Sequence, residues 1–310
     1  GSDAMGGVIN IVTKKGQGPL SATGFMEYGS FASLREGGTV SGKQGAVDYS
    51  LSLSRWDTSS FSAVNYRRGA TERDSYRNWQ GSGRIGVDLP HDGRLDFSMR
   101  WMNSDVQLDN LSATAPSDVY GSKIRSQEYV FSGSYEQPLT SWWSQKLTLA
   151  RSQEASLFLP GTLQRSLVSG AFSTPFGDPN ETRVLSNRLE WQHNFQITKL
   201  LLLSAGYQFR EQQGENDSGL TNRILSSHAG FAQAQFNLWD RVFATAGVRH
   251  DSYNVFGDAT TYRLTGGYVH KETDTKLRAG YSTGFRAPSM NELYFPNFGN
   301  PNLGPEKSQS

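Results

Sequence analysis

Apolar and polar residues alternate with a period of two along almost the whole chain. In residues 47–54, Val47, Tyr49, Leu51 and Leu53 take one face, and Asp48, Ser50, Ser52 and Ser54 the other. In 94–101, Leu95, Phe97, Met99 and Trp101 oppose Asp96, Ser98 and Arg100; in 201–210, Leu201, Leu203, Ala205, Tyr207 and Phe209 oppose Ser204, Gly206, Gln208 and Arg210. This period belongs to strands with one apolar and one polar face. About thirteen such segments are legible, near 19–30, 34–43, 46–56, 76–89, 94–104, 125–137, 143–153, 183–197, 200–213, 226–238, 241–251, 260–270 and 276–285. Most are about 10–14 residues long, whereas soluble strands average about 5–6. A strand crossing a bilayer at a tilt needs about 9–11. The length predicts strands that span a membrane.

The connections carry the same message. From the third strand on, they alternate between long (57–75, 105–124, 154–182, 214–225, 286–305, with a moderate one at 252–259) and short (90–93, 138–142, 198–199, 239–240, 271–275). Every second turn then lies on one side, as in an up-and-down barrel with short periplasmic turns and long extracellular loops. The predicted fold is all-β: an antiparallel up-and-down transmembrane β-barrel, apolar face to lipid and polar face to the lumen. Lipid offers no water to backbone groups, so only a closed sheet satisfies them. Trp142, Trp143 and Trp239 fall at short turns, with Trp56, Trp79 and Trp101 nearer the long loops, as interfacial girdles require.

Composition narrows the function. Mean hydropathy is −0.55, which an alternating pattern produces even in a membrane barrel. The longest apolar run is the short one around Leu200–Leu203, so no helix is expected to span a bilayer. Lys plus Arg is 30 and Asp plus Glu is 29; that balance gives no field to attract nucleic acid. There is no cysteine, which excludes a disulfide scaffold and cysteine-ligated zinc. No Ser/His/Asp grouping or HExxH run points to catalysis, and the chain reads as a non-enzyme.

Two stretches break the alternation. Residues 1–15, "GSDAMGGVINIVTKK", place Gly6 and Gly7 before the apolar run Val8, Ile9, Ile11, Val12. No Gly-Lys-Ser/Thr follows, so this reads as a turn into a buried strand rather than a phosphate loop. Residues 280–294, "GYSTGFRAPSMNELY", are followed by "GNPNLGPEKS". The first stretch resembles the end of the plug domain of TonB-dependent outer-membrane receptors, and the second resembles another signature of that family. Both occur in the family's order, joined by membrane-type strands. Within the family the chain is most similar to cobalamin receptors and their siderophore-receptor relatives.

The resemblance implies a barrel of about 22 strands around an N-terminal plug, so roughly nine strands and most of the plug lie outside this sequence. Residues 1–15 are then the C-terminal end of the plug and 16–310 the N-terminal part of the barrel. It implies uptake of a scarce, large nutrient energised by the TonB complex through the parent's missing N-terminal region. Cobalamin is the first expectation, a ferric siderophore the second; a haem receptor and a passive porin are weaker readings. A porin lacks the plug strand. Haem receptors of the family carry an iron-ligating His between the two elements quoted, and 289–299 has none.

Candidate ligand-binding residues are Tyr294, Phe295 and Phe298, whose rings suit a corrinoid or equally pack on neighbouring loops. Arg67 and Arg68, with Arg73 and Arg77 nearby, suit an anionic siderophore or a lipopolysaccharide phosphate, or simply solvent. Cobalamin receptors bind calcium through acidic loop residues here, which makes Asp105, Asp109 and Asp118 candidate calcium ligands. The expected surroundings are outer-membrane lipid and lipopolysaccharide, with a small-molecule ligand and no nucleic acid.

Overall fold

The computed structural model describes residues 14–110, 116–175, 177–217, 222–294 and 299–310. The plug-end reading of 1–15 falls almost wholly outside the described residues. The strands are β1 (Ser21–Gly29), β2 (Ser33–Gln44), β3 (Val47–Thr58), β4 (Tyr76–Asp88), β5 (Arg94–Gln107), β6 (Ser117–Pro138), β7 (Trp143–Ser166), β8 (Phe172–Ser173), β9 (Asn180–Thr198), β10 (Leu201–Asn216), β11 (Arg223–Leu238), β12 (Val242–Tyr253), β13 (Gly257–His270), β14 (Thr275–Arg286) and β15 (Glu306–Gln309). One short helix, α1 (Met290–Tyr294), follows β14. All strands join one antiparallel sheet in sequence order, with two-residue β8 hanging off β7 and β9 pairing β7 directly. Each of the thirteen predicted segments is a strand.

Several loops are shorter than the alternation suggested. β6 and β7 pair from Pro138–Ser144 out to Ser117–Ser166, so most of 105–124 and 154–166 is hairpin rather than loop. The polar residues there hide a β period that belongs to water rather than lipid. The moderate connection at 252–259 shrinks to three residues, because Tyr253 and Gly257 pair directly.

The two faces separate as the period demands. Leu51 (62% exposed), Phe97 (61%) and Leu277 (63%) stand outward with Ile85, Met99, Phe131, Leu149, Trp191 and Leu264. The opposite face is polar and self-paired. Arg94 donates from Nη2 to Asp48 at 2.6 Å, from Nη1 to Asp88 at 2.5 Å and from Nε to Asp96 at 3.0 Å; Arg84 shares Asp96 at 2.5 Å. This ties β3, β4 and β5 together on the inner side, where Asp48 is buried. A Cβ on Gly86 would overlap the Arg94 guanidinium and push it off its carboxylate partners. A buried ionic group of this kind costs desolvation, which its several partners offset.

The register shows the tilt of the strands. One row of directly paired residues runs Met99, Phe131, Arg151, Asn187, Glu211 across β5, β6, β7, β9 and β10. It begins apolar and ends polar, so the apolar belt crosses the rows obliquely, as tilted barrel strands require. At the short-turn end, Trp142 and Trp143 pack on Phe195, with ring centroids 6.1 and 5.9 Å apart. Trp143 Nε1 donates to His193 Nδ1 at 3.2 Å, and Trp191 Nε1 to Gln145 Oε1 at 3.2 Å. These indoles keep a polar partner beside an apolar belt, the arrangement of an interfacial girdle. Trp79 and Trp101 stand outward at the other end. Trp56 does not: it shares the inner register with Ser54 and meets Tyr76 edge-on at 5.1 Å.

Candidate functional site

The long loop between β3 and β4 folds onto the open, outer end of the β6–β7 pair, away from its turn. Arg165, at the end of β7, donates from Nη2 to Asp118 Oδ2 at 2.8 Å and to the Gly69 carbonyl at 2.6 Å. Asp118 also accepts from the Thr71 amide at 3.2 Å. Asp109 accepts from Ser62 Oγ at 2.7 Å and from the Val119 amide at 3.0 Å. Asp74 accepts from the Ala63 amide at 2.5 Å. Two carboxylates, Asp109 and Asp118, thus staple 59–75 to β6 and β7 while Asp74 ties the loop to itself, and Asp118 is fully buried.

The same contacts gather negative charge. Glu72 stands near Asp109, Asp74 and Asp118; burial, then those carboxylates, pushes its pKa up to about 7. Burial likewise raises Asp74 to about 6, with Asp109 and Asp118 adding to it against the Ala63 amide. Asp118 Oδ1, Asp74 Oδ1 and Glu72 Oε2 are buried without a hydrogen-bond partner. Such orphaned acceptors are expensive. An all-oxygen set of this charge fits a hard divalent cation such as calcium. Among the described residues, no three acidic or histidine side chains already stand in a coordination geometry, so the carboxylates converge without closing a shell.

Of the three expected calcium ligands, Asp109 and Asp118 enter this cluster. Asp105 does not. It lies within β5 on the outward face, where Arg125 Nε meets it at 3.0 Å. Glu72, Asp74 and Arg165 were not singled out from sequence. The alternation of Glu72 and Asp74 in "TERDSY" carried a signal, whereas Arg165 becomes relevant only once β7 is seen to extend to it.

Arg67 and Arg68 sit in a single 3₁₀ turn, Tyr66–Arg68, and are exposed. Arg67 lies over the Tyr66 ring, 5.9 Å from its centroid. Tyr294 closes α1, and its charged neighbour is Arg223, from the start of β11, with the guanidinium 5.0 Å from the ring centroid. Phe295 and Phe298 lie outside the described residues. The helix is fixed by Glu292, which accepts from the Ser289 amide at 2.8 Å, from Ser289 Oγ at 2.9 Å and from Arg286 Nη2 at 2.6 Å. Arg286, with help from Ser289, holds that carboxyl down at about 2. Phe285, Met290 and Leu293 are buried, so the segment is seated on the wall rather than trailing in solvent. Below it, the polar face encloses a concave space of about 1180 Å³ lined by Arg188, Glu190, Gln208, Arg210, Arg249 and Asp251 among others.

Known proteins share this fold. Residues 44–310 match the family described as TonB dependent receptor-like, beta-barrel. The chain belongs to this family. That places it in the outer membrane of a Gram-negative cell. Two curated relatives, the vitamin B12 transporters BtuB of Photobacterium profundum and Vibrio vulnificus, are each 25% identical over the whole chain, which covers 48% of each relative. The siderophore receptor PirA from Acinetobacter baumannii superposes over the whole chain with a TM-score of 0.79 at 19% identity, covering 52% of that protein. At that identity the likeness concerns the fold. The chain spans about half the length of the curated relatives it matches.

Proposed function

We propose that the receptor containing this chain takes up cobalamin across the outer membrane, energised by the TonB complex. The observation that carries this reading is similarity along the entire chain to two transporters named for vitamin B12. The loop chemistry supports it. Tyr294 and Arg223 offer a planar, cation-backed ring at the long-loop end, suited to a large, flat, partly apolar ligand. Glu72, Asp74 and Asp118 would hold a calcium ion through the oxygens that lack partners, with the Asp109 carboxylate beside them. The ion would supply the charge that these buried carboxylates need, and so fix loop 59–75 before ligand arrives.

The test is equilibrium binding of cyanocobalamin and of a ferric catecholate siderophore to the full receptor, with calcium and with a chelator. Cobalamin binding that weakens at least tenfold in chelator supports both parts. Tight siderophore binding with no cobalamin binding at micromolar ligand overturns the cobalamin reading. Cobalamin binding indifferent to chelator removes the ion alone.

A further inference from the structure

Trp56 turns its indole to the polar face of the sheet and leaves it 44% exposed there. A ring on that side takes no part in the belt that meets lipid. It stands in one row of directly paired residues on the inner wall: Glu27, Arg35, Trp56 and Asn78, on β1, β2, β3 and β4. The row lies near the long-loop end, where Thr58 closes β3 and Tyr76 opens β4. Its members are oriented by their neighbours. Arg35 lies over Phe25, with the guanidinium 5.3 Å from the ring centroid, and meets Glu27 at 3.6 Å. Tyr76 stands edge-on to the indole, at 79°. Asn78 is only 4% exposed. Its Nδ2 donates to Tyr76 Oη at 2.5 Å, and its Oδ1 has no hydrogen-bond partner. With Ser54 and Gln80, which pair directly on the same face, the row lines a concave space of about 560 Å³.

The chemistry of this wall selects a class of ligand. One aromatic platform is on offer, because Tyr76 stands perpendicular to the indole rather than parallel to it. A flat heteroaromatic ring gains most between parallel planes. A saturated ring needs only one, since its weakly positive C–H hydrogens meet the negative face of the indole. Around the platform stand the amides of Asn78 and Gln80, the Arg35 guanidinium, the Glu27 carboxylate and the Ser54 hydroxyl. Donors and acceptors are mixed there, and hydroxyl groups, which do both, satisfy either kind. The Asn78 oxygen lacks the donor that such a hydroxyl supplies, and a buried acceptor left open is costly. Arg35 and Glu27 balance in charge, so the wall does not favour an ionic ligand. The space is of the size of small-ligand clefts. We propose that the inner wall of β1–β4, at the long-loop end, binds a neutral pyranose ring of a saccharide, with Trp56 as platform and Asn78, Gln80 and Arg35 as hydrogen-bonding partners. The site shares no residue with the carboxylate cluster or with the Tyr294–Arg223 pair, and it does not depend on the cobalamin reading.

The experiment uses the full receptor in a detergent without a sugar headgroup, with maltose, sorbitol and adenine as probes, read by saturation-transfer NMR titration. Maltose should receive saturation at its ring C–H protons. It should bind about tenfold more tightly than sorbitol, which carries hydroxyls without a ring face, and more tightly than adenine. Trp56→Ala should weaken maltose about tenfold. Asn78→Ala should weaken it while the ring protons still receive saturation. Trp191→Ala, on the outward face, should leave binding unchanged. Heat-modifiable migration on a gel reports folding of each variant. No saturation of maltose by the unaltered receptor at millimolar sugar overturns the proposal, whether or not the variants fold. Equal binding of maltose and sorbitol, or tighter binding of adenine, overturns it too, as does a folded Trp56→Ala receptor that binds maltose unchanged.

Discussion

At the scale of single residues, Asp118 and Arg165 decide whether loop 59–75 is part of the structure. Asp118 is fully buried, and its cationic partner is Arg165 at 2.8 Å. Removing that cation leaves a buried charge without compensation, at a cost of about 3–5 kcal/mol. Arg165→Leu should therefore release the loop, seen as faster hydrogen exchange across 59–75 with the strands unchanged. The loop also carries a pH dependence with a definite sign. Glu72 and Asp74 keep their protons to about 7 and about 6 when folded, above their ordinary values. Their contribution to the folded loop is complete below the ordinary carboxylate range and is lost as pH rises through those values. Without divalent ion, loop 59–75 should show higher protection factors, relative to base-catalysed intrinsic exchange, at pH 5 than at pH 8. Calcium should reverse the order, because it competes with protons and binds best when both groups are ionised. Protection factors that ignore both pH and calcium would dismiss the cluster as an ion site.

At the scale of elements, the period of two specified the strands and their faces, and it failed at their outer ends. Where a strand leaves the belt, both faces meet water and the alternation fades. The β6–β7 hairpin, paired as far as Ser117 and Ser166, was legible only up to the region around Arg125 and Gln153. α1 was not legible at all. It is a single turn, held by Ser289 and Glu292 and by burial of Met290 and Leu293, and no hydrophobic period can mark so short a segment. The faces themselves are testable in one strand. Leu51→Arg, on the lipid side near mid-belt, should cost about 2–4 kcal/mol of barrel stability. Ser50→Gln, one residue away on the inner face, should leave it unchanged. Urea unfolding from vesicles measures both, and equal costs would contradict the facing.

At the scale of the whole molecule, the sheet order follows the chain from β1 to β14 with β9 beside β7, so successive connections lie on opposite sides of the membrane. The lack of cysteine makes this easy to check, since one introduced thiol is the only one that reacts. Ser169→Cys, in the connection between β7 and β9, should label in intact cells with an impermeant maleimide. Lys271→Cys, between β13 and β14, should label only after the outer membrane is opened. The reverse pattern would invert the topology.

Local periods and local motifs were enough to place the long strands, their antiparallel order, the side that faces lipid and, through the two quoted signatures, the family. Which charged residues meet became visible only in three dimensions. Asp105 looks like a loop acid in the sequence, and becomes a rung of an outward ladder with Arg125 because β5 and β6 pair in that register. Asp109 and Asp118 join Glu72 and Asp74 because a loop from earlier in the chain folds onto the open end of the β6–β7 pair. Charge pairing depends on register and loop docking across strands, and a period of two carries no information about either.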